Sequence, residues 1–115
     1  MDTKKPTALM LGRYQPFHDG HFALFKAALE RADQVLIAVR DTGGTDGKNP
    51  FDFEFVKSKI NEKLTDYQGQ YQIIQVPNIT NIIYGRDVGY KIEKIELGEE
   101  IERISATQVR KEMGL

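Results

Sequence analysis

Two short apolar runs, Thr7–Gly12 and Val35–Val39, bracket a segment in which Phe22, Leu24, Phe25, Ala28, Leu29 and Ala32 recur at helical spacing. Continuous apolar runs of this length read as strands buried on both faces of a parallel sheet. The periodic segment, Phe22 to Ala32, reads as the helix joining them. A parallel pair joined this way crosses over right-handedly. The unit therefore commits the chain to an α/β layout, in which ligands sit beyond the carboxyl ends of the strands. The alternation continues downstream. Asp52 is a good N-cap for a second helix through Phe53, Val56, Lys57, Ile60 and Leu64, and Tyr71–Val76 reads as a third strand stopped by Pro77. Ile92, Ile95 and Leu97 suggest one more short strand. Ser105 to Met113 reads as a closing helix capped near Ser105 or Thr107. The expected fold is α/β, a Rossmann-like doubly wound parallel sheet. It forms a single compact domain over residues 7–115, with residues 1–6 as a polar tail. Residues 12–21, 40–50 and 84–90 are expected to gather on one edge of that sheet.

Bulk properties exclude several alternatives. A length of 115 residues suits one domain able to bury its own core. The net charge of −1 supplies no general field for nucleic acid or an anionic membrane, so any anion site must be local. The chain has no cysteine, which removes disulfides and thiolate metal sites. No apolar run approaches the roughly 20 residues a membrane helix needs, and Asp2, Lys4, Lys5 and Pro6 interrupt any leader-like start. The expectation is a soluble cytoplasmic protein with neither nucleic-acid nor membrane partners.

Between the first strand and the first helix lies Gly12-Arg13-Tyr14-Gln15-Pro16-Phe17-His18-Asp19-Gly20-His21, which holds both histidines of the chain. A strand, a tight turn and a helix N-terminus carrying imidazoles make a phosphate-handling site. Each imidazole can donate N–H bonds to phosphate oxygens, and both can become cationic when anions are close. Gly20 leaves room for a phosphate or base to approach the backbone. The blander alternative is a helix start with two surface histidines. A metal site would need further ligands, and the chain has no other His and no Cys to supply them. Thr42-Gly43-Gly44-Thr45-Asp46-Gly47-Lys48-Asn49 imitates a phosphate-binding G-x-x-x-x-G-K-[ST] loop but lacks its first Gly and final Ser/Thr, and no G-x-G-x-x-G is present.

The segment from Gly12 to His21 resembles the first signature of the nucleotidylyltransferase superfamily, the cytidylyltransferase-like fold. Its wording is most similar to the archaeal-type nicotinamide mononucleotide adenylyltransferases. Ile104-Ser105-Ala106-Thr107-Gln108-Val109-Arg110 resembles the family's second signature, I-S-x-T-x-x-R, which holds the β- and γ-phosphates. The resemblance implies transfer of AMP from ATP to a phosphorylated acceptor, such as nicotinamide mononucleotide, with release of pyrophosphate. It places His18 and His21 on the α/β-phosphates and the transition state, with Arg110 beside them. It also places Gly12, Arg13, Tyr14, Phe17, Gly20, Ser105 and Thr107 around the nucleotide and its phosphates. It implies Mg²⁺ held by the triphosphate, with no metal ligand from the protein.

Asn49-Pro50-Phe51 is similar to a third family element, an N-P-F followed by a helix with a Glu-Arg pair. Here Lys57 stands near the arginine's place, and Phe55-Val56 departs from the pattern. The family is longer between strand three and the final signature, and it places there an aromatic, often Trp, that stacks on nicotinamide. This chain has no Trp. Its counterpart is residues 81–90, where Tyr84 or Tyr90 would stack and Arg86 and Asp87 would meet the base or acceptor, unless the segment is a plain surface turn. Arg40, ending the second strand, reads either as a contact to phosphate or acceptor or as a solvated strand end. Two other readings stay open: a CTP-dependent cytidylyltransferase acting on a small phosphoalcohol, and a non-catalytic nucleotide-binding module of the same fold. Family members often dimerise, and Ile79, Ile82 and Ile83 offer an apolar contact for a homo-oligomer.

Overall fold

β1 (Thr7–Gly12), β2 (Gln34–Arg40) and β3 (Tyr71–Val76) form one parallel sheet in the order β1-β2-β3. The computed structural model describes every residue except 87, 88 and 103. α1 (Asp19–Arg31) crosses from β1 to β2. α2 (Phe53–Lys63), followed by a 3-10 turn at Thr65–Tyr67, crosses from β2 to β3. α3 (Glu99–Glu102) and α4 (Ala106–Glu112) follow the sheet. The α/β Rossmann-like class expected from the alternation is the one observed.

The core explains the sidedness. Met10 of β1 and Val35, Ile37 and Val39 of β2 share one apolar cluster with Phe25 and Ala28 of α1 and Val56, Ile60 and Leu64 from α2 and its C-cap. Both crossover helices therefore cover the same face, as two right-handed crossovers progressing in one direction require. Phe25, Val35, Ile37, Val56, Ile60 and Leu64 are fully buried, and each such side chain contributes about 1.5–3 kcal/mol. The opposite face is less protected. β1 has β2 on one side only, and its Leu9 is 57% exposed. The expectation of burial on both faces of the first strand is thus corrected, because both crossover helices cover the Met10 face and leave the Leu9 face without a helix over it.

The polar tail is tied down by one buried amide. Gln34 donates to Asp2 O and to Thr7 Oγ1 (2.8 Å), and its Oε1 accepts from Asp2 N–H. The strand suggested by Ile92, Ile95 and Leu97 does not form. A spacing of three then two cannot keep all three on one strand face, and Ile92 is 66% exposed. Among the described residues, 77–98 contain no helix or strand. This stretch returns beside α1: Arg31 Nε lies 3.7 Å from Glu93, and α3 packs on α1. Ile82 and Ile83 are 61% and 87% exposed. No helix of the described residues is long and apolar enough to cross a membrane.

Candidate active site at the carboxyl edge of the sheet

α1 starts three residues before the apolar periodicity does, because His18 caps it. His18 sits in extended backbone (φ −132°), and its Nδ1 accepts the Gly20 N–H at 3.1 Å. His21 reaches back, and its Nδ1 accepts the His18 N–H at 3.1 Å. The two histidines thus build a reciprocal capping box, a role usually filled by Ser/Thr and Glu. The arrangement fixes chemistry as well as geometry. With Nδ1 accepting in both rings, a neutral imidazole carries its hydrogen on Nε2. The rings stack with centroids 3.8 Å apart, so both Nε2–H groups belong to one compact donor pair.

Electrostatics keep these donors neutral. Burial, and secondarily repulsion from the neighbouring His18 when that ring is protonated, pushes the His21 pKa down to about 3. Burial also lowers His18, against the pull of Asp19. Without an anion beside them, two charged rings in stacking contact would repel, which favours the neutral forms. Tyr14 and Phe17, expected around the nucleotide, are buried at 3% and 6% exposure. They form the wall behind His21, with ring centroids at 4.9 and 5.3 Å. Tyr14 adopts φ 52°, an unfavourable conformation for a side-chain-bearing residue. Its ring lies against Gly12, where an added Cβ would come within 3.0 Å of it. Asp19 is ion-paired with Lys63 at the end of α2, which holds its carboxyl below the usual range.

Two other segments are stitched to this turn. The buried Gln15 amide pairs with the Phe51 backbone, donating to Phe51 O and accepting from Phe51 N–H, both at 3.0 Å. Arg13 Nη1 donates to Asn49 Oδ1 at 3.3 Å. The Asn49 N–H donates to Asp46 Oδ1 at 2.8 Å. The N-P-F segment is therefore bound directly to the first signature. Sequence reasoning did not single out Gln15. Its one signal was a polar residue between Tyr14 and Pro16 inside the motif. From the other end of the chain, Arg110 Nη1 donates to Gln15 O at 2.7 Å and Nη2 to Thr107 Oγ1 at 3.4 Å. Ser105 caps α4, its Oγ accepting from Gln108 N–H at 3.1 Å. The two signatures, 95 residues apart in sequence, thus meet.

A cavity of about 370 Å³ opens beside the turn, lined by Arg13, Arg40, Asp41, Asn49 and Asn78 among others. Asn78 supplies the third-strand side of this edge, where 84–90 was expected. Tyr84 and Tyr90 are 48% and 67% exposed, and neither they nor Arg86 line the cavity. Asp87 lies outside the described residues. Lys57 does not reach the site either. It lines a groove at the β3 edge with Asn61 and Tyr71.

Residues 9–54 match the cytidylyltransferase-like family. The chain resembles that family over about two fifths of its length. It is 25% identical to a nicotinamide-nucleotide adenylyltransferase of Methanococcus aeolicus over 90% of its own length and 75% of that protein's. It is 56% identical to the Ignicoccus hospitalis enzyme of the same name over 28% of this chain and 19% of that one. A bifunctional NMN adenylyltransferase/ADP-ribose pyrophosphatase of Francisella tularensis shares its fold, with a TM-score of 0.59 and 30% identity over 64% of this chain and 22% of that one. A second structure of the Francisella protein, complexed with AMP and a manganese ion, aligns over the same shares with a TM-score of 0.51 and 28% identity. The chain thus spans only about a fifth of the Francisella chain. Its matched family segment runs from β1 to the start of α2 and contains the whole histidine turn.

Proposed function

We propose that the protein transfers AMP from ATP to a phosphorylated acceptor and releases pyrophosphate. One observation carries this reading: two neutral Nε2–H donors, stacked at the N-terminus of a thirteen-residue helix, lie on the same loop that Arg110 of the second signature docks onto. In-line attack at the α-phosphorus builds charge on the phosphoryl oxygens and on the bridge to the leaving pyrophosphate, and preformed donors stabilise that charge. His18 and His21 supply such donors. Ser105, Thr107 and Arg110 supply hydroxyl and guanidinium contacts for the β- and γ-phosphates. Gly12 and Gly20 leave room for the Tyr14 and His18 rings that shape this turn, each of which an added Cβ would meet at about 3 Å. Among the described residues no three His, Cys, Asp or Glu side chains converge. The resemblance implies Mg²⁺ on the triphosphate's own oxygens, where it would supply charge neutralisation.

The reading is tested by pyrophosphate release with Mg²⁺ and ATP in the presence of nicotinamide mononucleotide and other phosphomonoesters. Turnover with ATP, reduced about a hundredfold or more in His21→Ala, is the expected outcome. Turnover with CTP alone would establish the cytidylyltransferase alternative. Nucleotide binding without pyrophosphate release in any combination would establish a non-catalytic module.

A further inference from the structure

The histidine turn carries a carboxylate between its two imidazoles, and a site for phosphates has to answer it. Asp19 is the first residue of α1, between His18 and His21, and its side chain is open to solvent. There it occupies the helix's own positive end, worth roughly half an elementary charge, which a phosphate would otherwise use. Neutral imidazoles add no charge to offset it. α3 brings more acid to the same place: Ile101 O would lie 3.7 Å from a Cβ at Gly20, and Glu99 and Glu100 precede it. Left alone, a full negative charge against that half charge makes the turn repel anions. α2 supplies the correction. Lys63, in its last turn, reaches across to Asp19 and pairs with it. The adjacent Glu62 carboxylate lies 3.2 Å from Lys59 Nζ, so one lysine serves its own helix and the other crosses to α1.

A pair this exposed contributes little to folding. Its effect on an incoming polyphosphate is larger, because every charge on that ligand feels the carboxylate if it is uncovered. Resting on the adenylyl-transfer reading, we propose that Lys63 is a positioning residue of the candidate site: pinned to Asp19, it turns the head of α1 from repelling the polyphosphate to attracting it. Lys63 acts through Asp19. The same opposition is felt at His18, which Asp19 pulls toward its protonated form and Lys63 pushes back. The bond to Lys63 also holds the Asp19 carboxyl below its usual range, so the pair stays ionised at neutral pH.

The test measures the affinities of Mg²⁺·ATP and of inorganic tripolyphosphate by titration calorimetry at about pH 8, above the imidazole range, so that both histidines are neutral in every variant. Lys63→Met is expected to weaken both ligands about tenfold at low salt, with the deficit shrinking in about 0.5 M salt. Lys63→Arg should keep the wild-type affinity, and Asp19→Asn should bind at least as tightly as wild type. Lys63→Met made in the Asp19→Asn background should return to within about threefold of wild type. A lysine that merely ties α2 to α1, or that touches the nucleotide itself, predicts instead a double variant as weak as Lys63→Met. That result, or unchanged affinity in Lys63→Met, would overturn the assignment. If Lys63→Met does not fold, Asp19→Asn and Lys63→Arg decide, and looser binding in Asp19→Asn overturns it. Affinities that follow residue 63 without pyrophosphate release would uphold Lys63 and discard adenylyl transfer. Pyrophosphate release with an ATP affinity indifferent to residue 63 would discard Lys63 and leave adenylyl transfer standing. Failure of the wild type to bind either anion would overturn both.

Discussion

Gly20→Ala separates the architecture of the histidine turn from its stability. A Cβ at position 20 would lie 2.9 Å from His18 Cε1 and 3.1 Å from Nδ1. The first distance is closer than carbon atoms tolerate, and the His18 ring cannot simply swing aside, because it stacks on His21 at 3.8 Å. Relief requires the ring to leave its capping position, which loses the Gly20 N–H to Nδ1 bond. That cap is worth about 0.5–2 kcal/mol. Against it, Ala in a helix gains about 0.5–1 kcal/mol over Gly. The two terms nearly cancel, so the net loss is about 1 kcal/mol or less, on the order of 4 °C in Tm. Catalysis has no such compensation, because a donor displaced by about 1 Å costs on the order of a hundredfold in rate. Thermal unfolding and pyrophosphate release measured on the same preparation give the comparison. A variant that unfolds near the wild-type temperature yet loses about a hundredfold in turnover is expected. Turnover within a few-fold of wild type would show that His18 need not occupy the capping position.

The remaining predictions test other parts of the same edge. His21 is held neutral in the fold, its pKa pushed to about 3 by burial, while in the unfolded chain it titrates near the ordinary 6.5. The unfolded chain therefore binds the extra proton in between, so the stabilisation is complete above about pH 6.5 and is lost as pH falls toward 3, at up to about 1.4 kcal/mol per pH unit. Urea unfolding from pH 7.5 to 4.5 should show a steeper loss in wild type than in His21→Asn, and parallel curves would contradict a buried neutral ring. Gln15→Ala strips the Phe51 N–H and C=O of their partners at once, which should cost about 2–4 kcal/mol in urea unfolding. A loss under 1 kcal/mol would mean that water replaces the amide.

How much of this was legible in the sequence depends on whether a residue acts through its neighbours in the chain or across the fold. The β-α-β unit, the Asp52 cap and the Ser105 cap are local patterns, and each stands where periodicity and capping chemistry put it. The second signature's docking through Arg110 to Gln15 O followed only from resemblance, since no local rule links positions so far apart. Gln15 was unreadable for the same reason: its partners are the backbone atoms of Phe51, which no side-chain pattern advertises. Tyr14 and Phe17 could be read only as belonging to the turn, because an aromatic in a binding motif serves equally well as a contact or as the wall behind one. Their 3% and 6% exposure puts them behind His21. The 77–98 stretch carried apolar residues without either period, and its described residues form neither helix nor strand.

The edge divides its charge in a way that suits a transfer between two anions. On one side, His18 and His21 are neutral donors whose orientation is fixed by their own Nδ1 bonds. Neutral donors strengthen as charge builds in the transition state, yet they do not hold a departing pyrophosphate as a permanent cation would. On the other side, Arg13 and Arg40 line a cavity together with the Asp41 carboxylate, so that side carries permanent charges of both signs. Between them, Gln15 joins both halves, gripping Phe51 with its side chain and receiving Arg110 at its carbonyl. A shift of that residue would move the Phe51 backbone and the Arg110 guanidinium together. Coupling of this kind makes the loss of Gln15 more damaging to turnover than to the binding of either substrate alone.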